Sequence, residues 1–284
     1  MTGFASTDWI AVAWGEHPRA FAMTTDGQIM AEATLDSGAA PENRLEPLIG
    51  PWQAQGLAGP VVIAGMAMPA LARPVPCTPL EAPVANEAGH HLVPGLRQSR
   101  PAPGLTRGAE TCIAGFLDRE PQFDGVVCLP GDGPGDTTLW AQLSAGEVVS
   151  FQSFLTVRLI SQLLPPEDEP GWDDAAFLAA VDDARSHPER LAARLAQVEA
   201  ESQLQLIGPP AARARYTGLL IGAELAAARP YWLGQQVAIL AASPAADPYR
   251  HALAALAVPL RLISATEMTL AGLTRAHRLL RGQP

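Results

Sequence analysis

The chain has 284 residues, with 29 acidic and 19 basic side chains, and its formal net charge of −10 argues against a nucleic-acid-binding protein. All 19 basic residues are arginine, which excludes a Schiff-base lysine and a phosphate-loop lysine. A hydrophobic fraction of 48% with 17% charged residues is typical of a packed globular protein. The length corresponds to one large domain or two small ones.

Targeting and redox signals point to the cytoplasm. Residues Met1 to Asp8 carry no positive charge and no long apolar segment, which predicts no secretory signal. No uninterrupted apolar run approaches about 18 residues, so we expect no membrane partner. The three cysteines, Cys77, Cys112 and Cys128, form no CxxC pair, so we expect small buried thiols and no metal site.

The first part of the chain predicts a three-stranded antiparallel meander followed by alternating helix and strand. Asp26-Gly27 is a typical hairpin turn. The predicted elements are strands at Trp9–Gly15, Arg19–Thr24 and Gln28–Thr34, a helix at Arg44–Gln55, a strand at Pro60–Met66, a strand near His91–Pro94 within a long loop over 67–104, and a helix at Glu110–Asp118.

The same order then begins again, with a second hairpin turn at Ala145-Gly146. The predicted strands are Asp124–Gly131, Thr137–Leu143, Glu147–Leu155, Val237–Ala241 and Leu260–Ile263, and the helices lie near 157–164, 174–185, 188–205, 211–228, Asp247–Leu256 and Glu267–Leu280. This duplication predicts two related α/β lobes, 1–120 and 121–284, with a ligand cleft between them.

Seven short motifs occur along this layout, none of them specific alone. They are Ile10–Gly15, Arg19-Ala20, Val62–Met66, Val93–Leu96, Thr106–Thr111, Leu129–Gly131 with Thr138 and Trp140, and Thr217–Glu224. In this order and spacing they resemble the 2-dehydro-3-deoxygalactonokinases, which belong to the sugar kinase, Hsp70 and actin superfamily. The resemblance implies two ribonuclease-H-like lobes and ATP-dependent phosphorylation of 2-dehydro-3-deoxy-D-galactonate on its terminal hydroxyl, with Mg²⁺ on the phosphates.

The resemblance also implies site residues, each beside a plainer alternative. On the substrate side, Arg107 would hold the sugar-acid carboxylate, with Arg19 as a second anion holder or an exposed strand residue. Glu110 would join them or simply favour the helix dipole. On the nucleotide side the candidates are Gly15, Gly131, Thr137, Thr138, Gly218 and Gly222, of which the last two are equally explained by helix packing. No catalytic base and no metal ligand set is identified.

Several family motifs are altered at the points that would meet phosphate or nucleotide. Ala13 stands where the family has an aspartate, and Glu16 replaces a threonine or serine, unless Glu16 itself serves as a shifted metal ligand. The family's THSKW becomes 136–140, with Asp132 and Asp136 in that turn. Leu155–Arg158 lacks the glycine and glutamate of MTGE, and Ala241–Pro244 lacks a glycine-serine turn.

Two classes of function therefore remain open. The first is a kinase, either a 2-dehydro-3-deoxygalactonokinase with weakened activity or a relative with relocated ligands and a different substrate. The second is an inactive homologue, a pseudoenzyme that binds a sugar acid or nucleotide as a sensor or partner subunit. The sequence leaves homo-oligomer formation open.

Overall fold

The computed structural model describes residues 7–15, 17–35, 45–66, 68–131, 137–164, 171–241 and 246–283. Glu16, Asp132, Asp136 and residues 242–244, on which part of the motif comparison depends, lie outside the described residues.

The first lobe is built on a six-stranded sheet. Its strands are β1 (Trp9–Ala13), β2 (Arg19–Met23), β3 (Ile29–Thr34), β4 (Val61–Ala64), β6 (Val84–Ala85) and β7 (His91–Leu92), and their order is β3-β2-β1-β4-β7-β6. The meander β1 to β3 is antiparallel, and β4 pairs parallel to β1. Both faces of β1 and β4 are covered, which explains their unbroken apolar runs.

The second lobe repeats this order in a five-stranded sheet. Its strands are β10 (Gly125–Leu129), β11 (Thr138–Ser144), β12 (Glu147–Phe154), β13 (Val237–Ala241) and β14 (Leu260–Ser264), arranged β12-β11-β10-β13-β14. As in the first lobe, an antiparallel meander is followed by a parallel strand beside its first member. The duplication predicted from the sequence is confirmed, and each lobe has the ribonuclease-H-like sheet order.

Both predicted hairpin turns are present. Gly27 has a φ of +88°, and its amide donates to the Thr24 carbonyl. Ala145 and Gly146 have φ values of +51° and +77°, as a two-residue turn between twisted antiparallel strands requires.

The helices cover the sheets on both sides. They are α1 (Leu45–Ala54), α2 (Ala109–Arg119), α3 (Thr156–Leu163), α4 (Asp174–Ser186), α5 (Leu191–Gln203), α6 (Pro209–Ala227), α7 (Arg229–Trp232), α8 (Ala246–Ala255) and α9 (Ala265–Leu280). The helix predicted at 188–205 begins instead with a short 3₁₀ turn, Pro188–Arg190, before α5. No helix in these described ranges is both long and apolar enough to cross a bilayer.

The segment expected to be a long loop with one strand is more ordered than its sequence indicates. Besides β6 and β7 it contains β5 (Arg73–Pro74), β8 (Leu96–Gln98) and β9 (Gly104–Leu105), which form a separate small sheet. Strands of two or three residues are too short to show an alternating pattern, and proline is tolerated at sheet edges.

Helices α2 and α9 lie together between the two sheets. An added Cβ at Gly115 would overlap the Met268 carbonyl, and one at Gly272 would overlap the Thr111 carbonyl, so the two helices cross in backbone contact. α9 follows the second sheet in the chain but also packs on β1 and β4 of the first. The boundary near residue 120 falls between α2 and β10 and stays a prediction.

Candidate functional site

A cavity of about 280 Å³ opens between the lobes at the carboxyl ends of their parallel strands. Ala13, Ala64 and Leu129 are the last residues of β1, β4 and β10, and all three line it. Ligands of open α/β sheets bind in the crevice outside these strand ends. The cavity therefore has the position expected of the functional site.

The polar groups of the cavity come from both lobes. Arg107 precedes α2 in the first lobe, and Arg158 lies in the first turn of α3 in the second. The hydroxyl-bearing residues Thr137, Ser153 and Thr269 also line the wall. Apolar strand ends with a few convergent cations and hydroxyls are typical of a site for a small polar anion.

Glu110 holds the loop that carries Arg107. Its buried carboxylate accepts hydrogen bonds from Thr106 Oγ1 at 2.6 Å and from the Gly108 amide at 2.9 Å. Burial raises the pKa of this carboxyl, and the Thr106 and Gly108 hydrogen bonds oppose the rise. Glu110 is not among the described residues that line the cavity, so its carboxylate lies behind the cavity wall, and its contact with a substrate stays a prediction.

Glu224 holds the wall of the second lobe in a similar way. Its carboxylate accepts from Trp140 Nε1 at 2.7 Å and from the Tyr249 hydroxyl at 2.9 Å. Tyr249 lies 2.7 Å from Thr138 Oγ1, and Thr156 also bonds Glu224. Burial is the largest cause of the raised pKa of Glu224. This network ties α6 and α8 to β11 and α3.

The predicted phosphate-turn residues have different positions. Thr137 lines the cavity, whereas Thr138 is fully buried and engaged with Tyr249. Gly131 has a φ of +68°, and its amide donates to the Thr137 carbonyl. Gly15 follows the cavity residue Trp14, and a Cβ added there would meet open space. Of these residues, Thr137 directly faces the cavity.

Arg19 is engaged outside the cavity wall. Its guanidinium forms an ion pair with Glu32 at 2.6 Å and donates to Thr266 Oγ1 at 3.3 Å. An anion-holding role for Arg19 would have to compete with Glu32.

Gly218 and Gly222 face α4 rather than the cavity. An added Cβ at Gly218 would meet the Phe177 carbonyl and Ala180, and one at Gly222 would overlap the Val181 carbonyl. Close packing of α6 on α4 accounts for both glycines.

Three polar residues of the cavity, Ser153, Arg158 and Thr269, were missed by sequence reasoning. Arg158 was noted for the family residues that its motif lacks, although a cation close after a strand end was a usable signal. Thr269 belongs to the last helix, and only the crossing of α9 between the sheets brings it to the cavity. No local pattern could have indicated that contact.

The described lining of the cavity suits an anion better than a metal ion. No aspartate or glutamate is among the described residues that line the cavity. Within the same described ranges, no group of three or more His, Cys, Asp or Glu side chains is arranged to hold a metal. Because Mg²⁺ takes oxygen ligands, above all carboxylates, this lining does not fit the metal, whereas its arginines fit an anion.

Comparisons with known proteins agree with this architecture. A family model described as 2-keto-3-deoxy-galactonokinase, another name for 2-dehydro-3-deoxygalactonokinase, matches residues 14–276. The probable 2-dehydro-3-deoxygalactonokinase DgoK1 of Rhizobium meliloti (strain 1021) is 29% identical over 198 residues. That match covers 66% of this chain and 63% of DgoK1, so the chain spans less than two thirds of that relative.

Solved structures show the same fold. A candidate 2-dehydro-3-deoxygalactonokinase from Sinorhizobium meliloti has a TM-score of 0.82 at 26% identity, covering 95% of this chain and 96% of that one. The activator of the 2-hydroxyisocaproyl-CoA dehydratase from Clostridium difficile reaches 0.58 at 11% identity, with 96% and 95% covered, and shows the fold alone. The actin-like α/β architecture expected from the motifs is confirmed, and the chain belongs to the 2-keto-3-deoxy-galactonokinase family.

Proposed function

We propose that this protein binds a sugar acid of the 2-keto-3-deoxy-galactonate type in the inter-lobe cavity and phosphorylates it, with ATP as donor, only slowly. Membership of the family supports the substrate class and the donor. The cavity supports a small anionic ligand, because Arg107 offers a planar guanidinium to a carboxylate.

The observation that carries the weakened activity is Ala13. It ends β1 with a methyl group in the cavity wall, where the family resemblance expects an aspartate. Phosphoryl transfer depends on carboxylates that hold the metal and accept the proton of the attacking hydroxyl. The described lining supplies anion-holding groups without such a carboxylate.

A second candidate, favoured by the same observation, is a binding protein without transfer activity. It would close on the sugar acid and act as a sensor or partner subunit. Cytoplasmic location and homo-oligomer formation stay predictions.

Calorimetry on the whole chain tests both candidates. We expect 2-keto-3-deoxy-galactonate to bind wild-type protein with a measurable Kd, and Mg-ATP to bind weakly. No binding of the acid would contradict both candidates. Mg-ATP binding of ordinary affinity with rapid turnover would contradict weakened activity.

Substitution of Ala13 tests whether the missing carboxylate causes the slow phosphotransfer. Ala13→Asp, alone or with Glu16→Thr, is expected to raise the phosphotransfer rate at least about tenfold, since one well-placed catalytic group contributes about 10²–10⁴. Ala13→Asn, of equal size and no charge, is the matched control. If the aspartate variants turn over no faster than the asparagine variant, loss of this carboxylate is not the cause.

A further inference from the structure

The described lining of the cavity is positively charged, although the protein is acidic overall. The chain carries a formal charge of −10, yet the described residues lining this cavity include two arginines and no carboxylate. Between the arginines lie apolar strand ends such as Ala13, Leu129 and Leu139. Guanidinium groups beside apolar strand ends in one cavity favour a ligand that brings negative charge.

The two arginines are anchored separately. Arg107 follows Thr106 in the loop that Glu110 holds through Thr106 and Gly108 in the first lobe. Arg158 lies in the first turn of α3, whose first residue, Thr156, bonds Glu224 in the second lobe. The chain segments that carry the two arginines are therefore held by different buried carboxylates, and the two sets of hydrogen bonds share no residue.

From this arrangement we infer that the preferred ligand carries two separate anionic groups, a carboxylate for Arg107 and a second anion for Arg158. On a 2-keto-3-deoxy sugar acid, the chemically available second anion is a phosphate ester on the terminal hydroxyl. The inference rests on the proposed function and deepens it: the cavity retains a phosphorylated sugar acid more tightly than the unphosphorylated acid.

The inference predicts a preference that depends on Arg158. In calorimetry at constant ionic strength, the phosphorylated acid is expected to bind wild-type protein about 10- to 100-fold more tightly than 2-keto-3-deoxy-galactonate, as one charge-assisted contact provides. Arg158→Gln should reduce this ratio to about threefold or less. Arg107→Gln should weaken both ligands by a similar factor, because both carry the carboxylate.

Matched controls separate this effect from net charge and from folding. Arg229→Gln removes an exposed arginine at the start of α7, away from the cavity, and should leave both Kd values unchanged. Arg158→Lys keeps the charge and should retain part of the preference. Inorganic phosphate alone should bind wild-type protein more tightly than it binds the Arg158→Gln variant. Thermal unfolding of each variant verifies a cooperative fold.

The contrary outcomes are distinct. Equal binding of the two acids by wild-type protein, or a preference that survives in Arg158→Gln, would overturn the two-anion inference alone. Equal weakening of both acids by Arg158→Gln would also overturn it, because it would show both arginines holding one group. Absence of binding by either acid would overturn the proposed function together with the inference.

Discussion

The two lobes share a sheet order, yet each supports its side of the cavity with a differently placed buried glutamate. Glu110 reaches residues two and four positions away, and its partners Thr106 and Gly108 themselves line the cavity. Glu224 bonds side chains from three other elements, and its partners Trp140 and Tyr249 are almost completely buried. Glu110 and Glu224 are both buried, but because Thr106 and Gly108 line the cavity, we expect water to reach this first set of donors more readily than the second once the carboxylate is removed.

The largest effect is expected at Glu224. Glu224→Ala should lower the free energy of unfolding by about 3–5 kcal/mol, because it leaves the buried Trp140 and Tyr249 donors without an acceptor and opens a cavity. Urea unfolding measures this loss. Glu224→Gln, which retains one acceptor and one donor, is the matched control and should lose about 1–2 kcal/mol. Equal losses in the two variants would show that side-chain volume, not hydrogen bonding, dominates.

Removing the Glu110 carboxylate is expected to weaken ligand binding more than it lowers stability. Glu110→Ala should lower the free energy of unfolding by about 1–2 kcal/mol, since solvent can reach the freed Thr106 and Gly108 donors. It should raise the Kd for 2-keto-3-deoxy-galactonate about tenfold, because a mobile loop no longer presents Arg107. Calorimetry and urea unfolding on the same samples provide the two values. A loss of stability as large as that of Glu224→Ala would remove the contrast between the lobes.

The smallest effect is the pH dependence that both glutamates share. Burial raises both pKa values above 4.5, so the folded state binds more protons than the unfolded chain. Their contribution to stability is therefore fully present below pH 4.5 and is lost as the pH rises through the folded pKa. The stability of Glu110→Gln and Glu224→Gln relative to wild type should increase over that interval. Urea unfolding between pH 4 and 8 measures this difference, and a decrease with rising pH would contradict the sign.

Much of the fold could be predicted because its signals are local. The apolar runs of β1, β10 and β13, the Asp26-Gly27 turn and the repeated strand order all follow from residues close in sequence. Segment 67–104 was underestimated, because strands of two or three residues derive their pairing from neighbours far along the chain.

The site was predicted only in part, for the same reason. Arg107 and Thr137 were identified through motif resemblance and do line the cavity. Gly218 and Gly222 matched a motif equally well but pack against α4, a distinction that depends on which helix lies opposite. Periodicity assigns a residue to a helix face but does not identify what that face contacts.

The sequence by itself determined the family, the duplicated order of elements, the absence of lysine chemistry and the methyl group at position 13. The tertiary structure alone decided that Arg158 and Thr269 face the same cavity as Arg107, and that Glu110 and Glu224 stand behind its walls. The physical reason is the sequence distance between the residues that produce each feature. Strand, turn and motif signals arise from neighbouring residues, whereas a binding cavity is formed where chain segments more than 100 residues apart are packed together by the burial of their apolar faces.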